Sequence, residues 1–259
     1  MGILSLLLVS LGINGVFFAL AYMFKTDAFT DLTYSLTFII LTALMMIHRA
    51  ALDTAQIITG VAVFLWAIRL GSYLFTRIMH TKVDHRFDDK RDSFIRFGSF
   101  WFLQAITVWI VLLPVYGILH SPGTTVTPAL LLLSICVWLI GLIIEAVADQ
   151  QKFLFKKDPA NAKKFMQGGL WAWSRHPNYF GEICFWTGVS IPGLALFEGT
   201  EVLLFLGPVF ITIMLLFVSG IPLLEKSWEK KWGKTKAYKE YKKHTPLLIP
   251  WPPRKAKVK

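Results

Sequence analysis

Two carboxylates, Glu145 and Asp149, stand four residues apart near the end of an apolar run in GLIIEAVADQQK. A second polar pair at the same spacing, Asn178 and Glu182, lies in SRHPNYFGEICFW. On a helix, i and i+4 share one face, so each pair presents its polar groups together. Ionisable groups in an apolar span are costly and face a cavity or a partner. Two readings stand for Glu145 and Asp149: contacts to a polar guest, or helix-end carboxylates neutralised by nearby lysines. Pro177 suits the first turn of a helix. The free N–H groups of that turn, with Arg175, Lys164 and Lys156, suit an anion such as phosphate. Glu182 and Asp149 would instead accept from sugar hydroxyls or an amide. From the residues alone this is a site for an anionic ligand, with a nucleotide as one candidate. No glycine fingerprint of a Rossmann fold follows a strand, since Gln167-Gly168-Gly169 is too short a signal.

A second set lies earlier. Arg69, Tyr73 and Arg77 recur every four residues, so they form one helix face, with Arg69 deeper and Arg77 placed to snorkel. Asp31 and Tyr34 form an i, i+3 pair. Asp31 reads first as a first-turn carboxylate favoured by the helix dipole, and second as a proton donor or polarising group. His48, His80, His85 and His120 read as loop or interface histidines.

The elements that must position these groups are membrane helices. Of 259 residues, 55% are hydrophobic and only 17% charged, and the charges cluster. That profile predicts an all-α polytopic membrane protein rather than a soluble domain. Seven apolar segments approach spanning length: 2–24, 32–50, 55–78, 99–120, 128–149, 178–197 and 201–224. The first lacks the basic start of a signal peptide and reads as a retained helix. Six Lys/Arg fall in 77–98, six in 151–177 and twelve from 225 onward, while 120–128 and 197–201 carry none. The positive-inside rule then predicts an external N-terminus and a cytoplasmic C-terminus. The same rule accounts for the net charge of +11 without nucleic acid. Cys136 and Cys184 lie in apolar runs and read as packing residues, with no disulfide or metal-ligand spacing. The tail reads as an amphipathic helix with a proline-stopped end, its Trp228, Trp232, Tyr238 and Tyr241 suited to the lipid interface.

The run GGLWAWSRHPNYFGE, with Glu145 and Asp149 upstream and the spaced tyrosines and PLLIP downstream, resembles the steroid 5-alpha-reductase family in its bacterial membrane branch. The resemblance covers about 140–253. It implies a single membrane reductase domain using NADPH. Residues 1–120 would enclose the substrate, and 121–259 would hold the cofactor on the cytoplasmic side of a bacterial inner membrane. Carried onto matching positions, Glu145, Asp149, Lys156, Lys164, Arg175, Asn178 and Glu182 become cofactor contacts, as do Tyr238 and Tyr241. Arg69, Arg77, Trp173, His176 and Tyr179 complete that set. Lys156 and Lys164 stand where mammalian members have arginines, and lysine lacks the bidentate fork.

The family's catalytic glutamate falls on Asp31 and its catalytic tyrosine on Trp66, whose indole N–H can donate a hydrogen bond but is no proton acid. Tyr34 or Tyr73 would then supply the phenol. The implied chemistry is conjugate reduction of a 3-oxo-4-ene steroid or similar lipid enone. A donor aimed at the carbonyl oxygen lowers the barrier, and a buried, protonated Asp31 is the candidate. The bilayer is the expected partner, with no metal, no nucleic acid and no obligate protein. Alternatives are a sterol ring double-bond reductase, an S-adenosylmethionine-dependent membrane methyltransferase with a similar C-terminal layout, and a lipid-binding scaffold.

Overall fold

A computed structural model describes residues 1–81, 91–122 and 126–252. His85 and most of the first basic loop lie outside the described residues. The described residues are helical, without a strand. Ten α-helices follow in order: α1 (Ile3–Met23), α2 (Ala28–Ile47), α3 (Thr54–Thr81), α4 (Phe94–Val111), α5 (Leu113–His120), α6 (Pro128–Lys157), α7 (Pro177–Ser190), α8 (Leu206–Ile213), α9 (Ile221–Trp232) and α10 (Lys236–His244). Six helical runs among them are long and apolar enough to cross a membrane. The chain is a polytopic membrane protein.

The predicted span at 178–197 is shorter than expected. The α-helix stops at Ser190, and Ile191–Ala195 continue as a 3-10 turn around Pro192 and Gly193. Fourteen α-helical residues reach about 21 Å, short of a hydrocarbon core of about 30 Å. The predicted span at 99–120 is two helices, because Pro114 opens α5 and supplies no N–H to continue α4. The last span, Gly199–Trp232, is irregular. It begins as a 3-10 helix, becomes α8, and passes through a π-turn at Met214–Val218 before α9. The Ser219 N–H reaches Met214 O at 2.9 Å, five residues back. A Cβ on Gly220 would strike the Leu215 carbonyl, so only glycine allows this turn.

The chain divides into two compact units. The first comprises 1–134 and 189–207, and the second comprises 135–188 and 208–259. Residues 189–207, assigned from sequence to the second half, thus belong to the first unit. There Phe197 packs on Gly117 and Gly193, leaving no room for a Cβ at either.

The first unit buries polar groups beside its apolar core and is apolar outside. Leu4, Leu8, Val16 and Met23 of α1 are exposed, whereas Ser10 and Asn14 are buried. Ser10 Oγ donates to Ala105 O at 2.8 Å, Asn14 Nδ2 to Ser10 O at 2.9 Å, and Gln104 Nε2 to Asn14 Oδ1 at 3.0 Å. In lipid such groups must find partners within the bundle, and here they join α1 to α4. Phe97, Trp101 and Ala21 form an aromatic core beside them.

Candidate cofactor-binding site

In the second unit α6 and α7 approach backbone to backbone. A Cβ on Gly181 would stand 2.6 Å from Glu145 N and 2.7 Å from Gly141 O. Gly141 and Gly188 are equally closed, the latter against Trp138. This close approach brings the polar end of α6 beside the first turn of α7. Glu145 and Asp149 are both buried. Asn178 Nδ2 donates to Asp149 Oδ1 at 3.2 Å. The two pairs singled out by spacing are therefore joined through one member of each.

The segment leading into α7 is fixed from several sides. Gly169 takes a φ of +59°, a conformation that favours glycine, and Gln151 Oε1 accepts from the next N–H at 3.0 Å. Trp171 is fully buried and its indole donates to Ala148 O at 3.0 Å. Ser174 Oγ donates to Leu248 O at 2.7 Å and accepts from His176 N at 3.1 Å. Arg175 N donates to Pro246 O, and Trp251 N to Trp173 O, each at 2.9 Å. The chain after α10 is thus strapped along the approach to α7.

Glu225, at the start of α9, holds the next two residues. Arg175 Nη1 donates to its Oε2 at 2.5 Å, and His176 Nε2 donates to its Oε1 at 2.9 Å. Both partners are buried, His176 completely. The imidazole lies parallel to Trp228 at 5.2 Å and to Tyr179 at 5.7 Å. Lys152 Nζ sits 4.4 Å over Trp171 and 5.1 Å over Trp228. Glu225 was not singled out by sequence reasoning. Its one signal is that the buried cation of an Arg-His pair needs an anion, and the chain has few carboxylates in its apolar half.

Burial pushes the His176 imidazole below its usual 6.5, against the opposing pull of the Glu225 carboxylate, and Lys152 and Arg175 push the same way as burial. A histidine held low in the folded state binds fewer protons than the unfolded chain between the two pKa values. Its contribution to stability is complete above about 6.5 and is lost as pH falls through the folded value. Acidification from pH 8 to 5 is expected to lower the thermal midpoint of wild type more than that of His176→Gln. The groups facing the ring are Glu225 from α9, Lys152 from α6, Tyr179 from α7 and the neighbouring Arg175, all unchanged in that comparison.

Tyr238 and Tyr241 are core residues of this unit, not interface anchors. Tyr241 Oη donates to Trp171 O at 2.7 Å. Tyr238 is almost fully buried, and burial with the nearby Glu225 charge pushes its hydroxyl up to about 12. Phe165 packs against both rings at 5.3 Å. The predicted single tail helix is broken at Gly233 into α9 and α10.

Two clefts open on this unit. One, of about 510 Å³, is lined by Arg175, Lys242, Lys243, His244, Thr245 and Trp251. The other, of about 540 Å³, has apolar walls from Phe155, Phe165 and Trp232 under Lys163 and Lys164. Lys164 therefore belongs to a different cleft from Arg175. Lys156 is exposed on the last turn of α6 and lines neither. Trp173 is largely exposed, and Glu182 lies one turn beyond Asn178, half-buried. Cys136 is exposed and Cys184 half-buried, so Cys136 is not the packing residue expected.

The remaining predicted residues lie in the first unit. Arg77 Nη2 donates to Asp31 Oδ2 at 2.7 Å. Arg77, expected to snorkel, thus turns to a carboxylate, and Asp31, expected as a donor to substrate, accepts from Arg77 instead. The physical reason is the antiparallel run of α2 and α3, which sets the first turn of one beside the last turns of the other. Tyr73 lies between two guanidinium groups, Arg69 at 5.8 Å and Arg77 at 6.0 Å. Tyr34 meets Phe38 edge-on at 5.1 Å, and Phe38 meets Trp66 at 5.1 Å. Trp66 is completely buried in this stack.

A family model described as "Protein of unknown function (DUF1295)" matches residues 17–245, from the middle of α1 to the end of α10. The chain belongs to the DUF1295 family. That family is related to steroid 5-alpha-reductase-like membrane proteins, which agrees with the resemblance read from GGLWAWSRHPNYFGE. The DUF1295 chain is also 29% identical over 83 residues to "Probable O-methyltransferase ustE" of Ustilaginoidea virens. The matched stretch is 32% of this chain and spans 29% of that relative's length. No solved structure matches the chain significantly.

Proposed function

We propose that this protein is a membrane reductase that takes NADPH at the mouth of α7 and reduces the carbon–carbon double bond of a lipid-like enone. One observation carries the reading: Arg175 lines the cationic cleft with Lys242 and Lys243, pairs with Glu225, and stands three residues before Asn178, which donates to the buried Asp149. A cofactor with phosphates and a polar ring substituent needs those two environments side by side. The residues fit such a group. Lys242, Lys243 and Arg175 offer charge-assisted donors for phosphate, and Glu145, Asp149 and Glu182 offer acceptors for hydroxyl or amide hydrogens. Glu225 keeps Arg175 and His176 in place. NADPH, when bound, supplies a hydride.

A hydrogen-bond donor aimed at the substrate carbonyl would stabilise the negative charge that builds on its oxygen in the transition state. By the positive-inside rule the basic cofactor cleft faces the cytoplasm.

A second reading is favoured by the name of the ustE relative: methyl transfer from S-adenosylmethionine to an oxygen acceptor. S-adenosylmethionine carries no phosphate, and under that reading the cationic cleft would serve a carboxylate instead. Turnover separates the two. Protein in detergent is supplied with NADPH and a 3-oxo-4-ene steroid, and in parallel with methyl-labelled S-adenosylmethionine and a membrane lipid extract. Loss of the dihydronicotinamide absorbance only when enone is present is expected. Label transfer to lipid without NADPH oxidation would assign the chain to the methyltransferases.

A further inference from the structure

The cofactor proposed above draws on the cleft beside Arg175. The second cleft, under Lys163 and Lys164, is built differently. Its volume, about 540 Å³, lies within the range of small-molecule sites, about 300–1,000 Å³. The half-buried side chains of Phe155, Phe165, Met166 and Trp232 form its walls. Two turns build it. After α6 the chain folds back, because Asn161 Nδ2 donates to Phe155 O at 3.2 Å and Asp158 Oδ1 accepts from Ala160 N at 2.9 Å. That reversal brings 163–168 back to the end of α6. At the other wall Gly233 ends α9, where a Cβ would strike the Glu229 carbonyl, and Thr235 Oγ1 donates to Trp232 O at 2.7 Å. Phe165 joins the two walls, with its ring 5.9 Å from that of Trp232.

Lys163 and Lys164 are exposed at the rim, and neither pairs with a carboxylate among the described residues. Asp158, close by in sequence, already accepts from Ala160 N and Asn161 Nδ2. Lys231, Lys234 and Lys236 flank Trp232 in sequence and add positive charge. Position in the fold points to the rest of the ligand. Phe155 stands in the last turn of α6, and Trp232 is the last residue of the span Gly199–Trp232. The 30 residues of α6 reach about 45 Å, enough to cross the headgroups as well as a hydrocarbon core of about 30 Å. The cleft therefore opens where two spans leave the apolar layer. A soluble anion would leave the aromatic walls wet, and a hydrocarbon chain alone would leave the lysines without an anion. We infer that this cleft binds an anionic phospholipid of the surrounding bilayer. Lys163 and Lys164 pair with its headgroup phosphate, and the upper part of an acyl chain lies along Phe155, Phe165 and Trp232. Lys164, matched by resemblance to a cofactor contact, is thereby assigned to lipid. The inference rests on the membrane fold and not on the reductase reading.

The test is lipid retention by the detergent-purified full chain, followed by native mass spectrometry during titration with phosphatidylglycerol or phosphatidylcholine. Wild type is expected to hold one phosphatidylglycerol about tenfold more tightly than phosphatidylcholine, from the two lysines at the rim. Lys163→Gln/Lys164→Gln is expected to lose that preference. Lys230→Gln/Lys239→Gln removes the same charge from exposed positions that line neither cleft, and is expected to keep it. Equal affinity of wild type for the two lipids overturns the inference. Equal loss in both double variants also overturns it, since the attraction would then belong to the basic face as a whole. Glycerol 3-phosphate carries the anion without the chains. Its displacing phosphatidylglycerol at equal concentration would make the cleft a plain anion site. NADP affinity lowered about tenfold in Lys163→Gln/Lys164→Gln, with the lipid preference unchanged, would return Lys164 to the cofactor and overturn the inference. The four lysines are exposed, so their replacement is expected to leave folding intact, and the comparison of the two lipids needs wild type alone.

Discussion

Glu225→Ala is expected to destabilise the protein by about 3–5 kcal/mol, the range for breaking a buried ion pair by removing one partner. The side chains of Arg175 and Glu225 are only 11% and 16% exposed, so solvent screens the pair little. Alanine leaves the Arg175 guanidinium without its anion and His176 Nε2–H without its acceptor. Each is then a largely desolvated donor without its partner. Lys242, 3.9 Å from the same carboxylate and 42% exposed, contributes little to the loss, as surface ion pairs do. Glu225→Gln keeps one acceptor oxygen and gives up the charge, so it is expected to fall between alanine and wild type. Denaturant unfolding in mixed micelles measures the difference. A Glu225→Ala protein within about 0.5 kcal/mol of wild type would show that the Arg175–Glu225–His176 group does not hold the approach to α7.

Gly181→Ala is expected to cost about 1–3 kcal/mol, with loss of the Asn178–Asp149 hydrogen bond. The added Cβ meets Glu145 N and Gly141 O, which are backbone atoms and cannot rotate away. The helices must part instead, and Asn178 already stands 3.2 Å from Asp149, near the limit for a hydrogen bond. Gly12→Ala and Gly15→Ala on α1 are the controls. A Cβ at either position meets nothing within 4 Å, and alanine favours a helix by up to about 1 kcal/mol over glycine. Thermal midpoints of the three variants are expected to fall for Gly181→Ala and to hold or rise for the other two. Equal behaviour of all three would remove the backbone contact between α6 and α7 from the site.

The membrane helices were legible because apolar runs of about twenty residues have few other uses. Their interruptions were less so. Pro114 and the pair Pro192-Gly193 end α-helical geometry inside runs whose hydropathy continues unbroken, and hydropathy does not register a missing N–H. The i, i+4 spacing of Glu145 with Asp149, and of Asn178 with Glu182, pointed to one polar face on each helix, and Asn178 does meet Asp149. Asp31 was read within its own helix, where nothing reveals that Arg77, 46 residues away, turns back to it. Glu225 escaped for a related reason. It stands at the junction of an apolar run and a lysine-rich tail, and only the fold brings it to Arg175 and His176. Tyr238 and Tyr241 looked like interface anchors because tyrosine is common there, but both are buried against Phe165, with Trp232 beside Tyr238 and Trp171 O accepting from Tyr241.

Titration of NADPH into wild type and Asn178→Ala tests most directly whether the mouth of α7 is a nucleotide clamp. Saturable binding to wild type is expected, weakened about tenfold or more in Asn178→Ala, which loses its own acceptor and leaves Asp149 without its amide partner. Equal affinity in the two proteins, or no NADPH binding by a folded wild type, would contradict it.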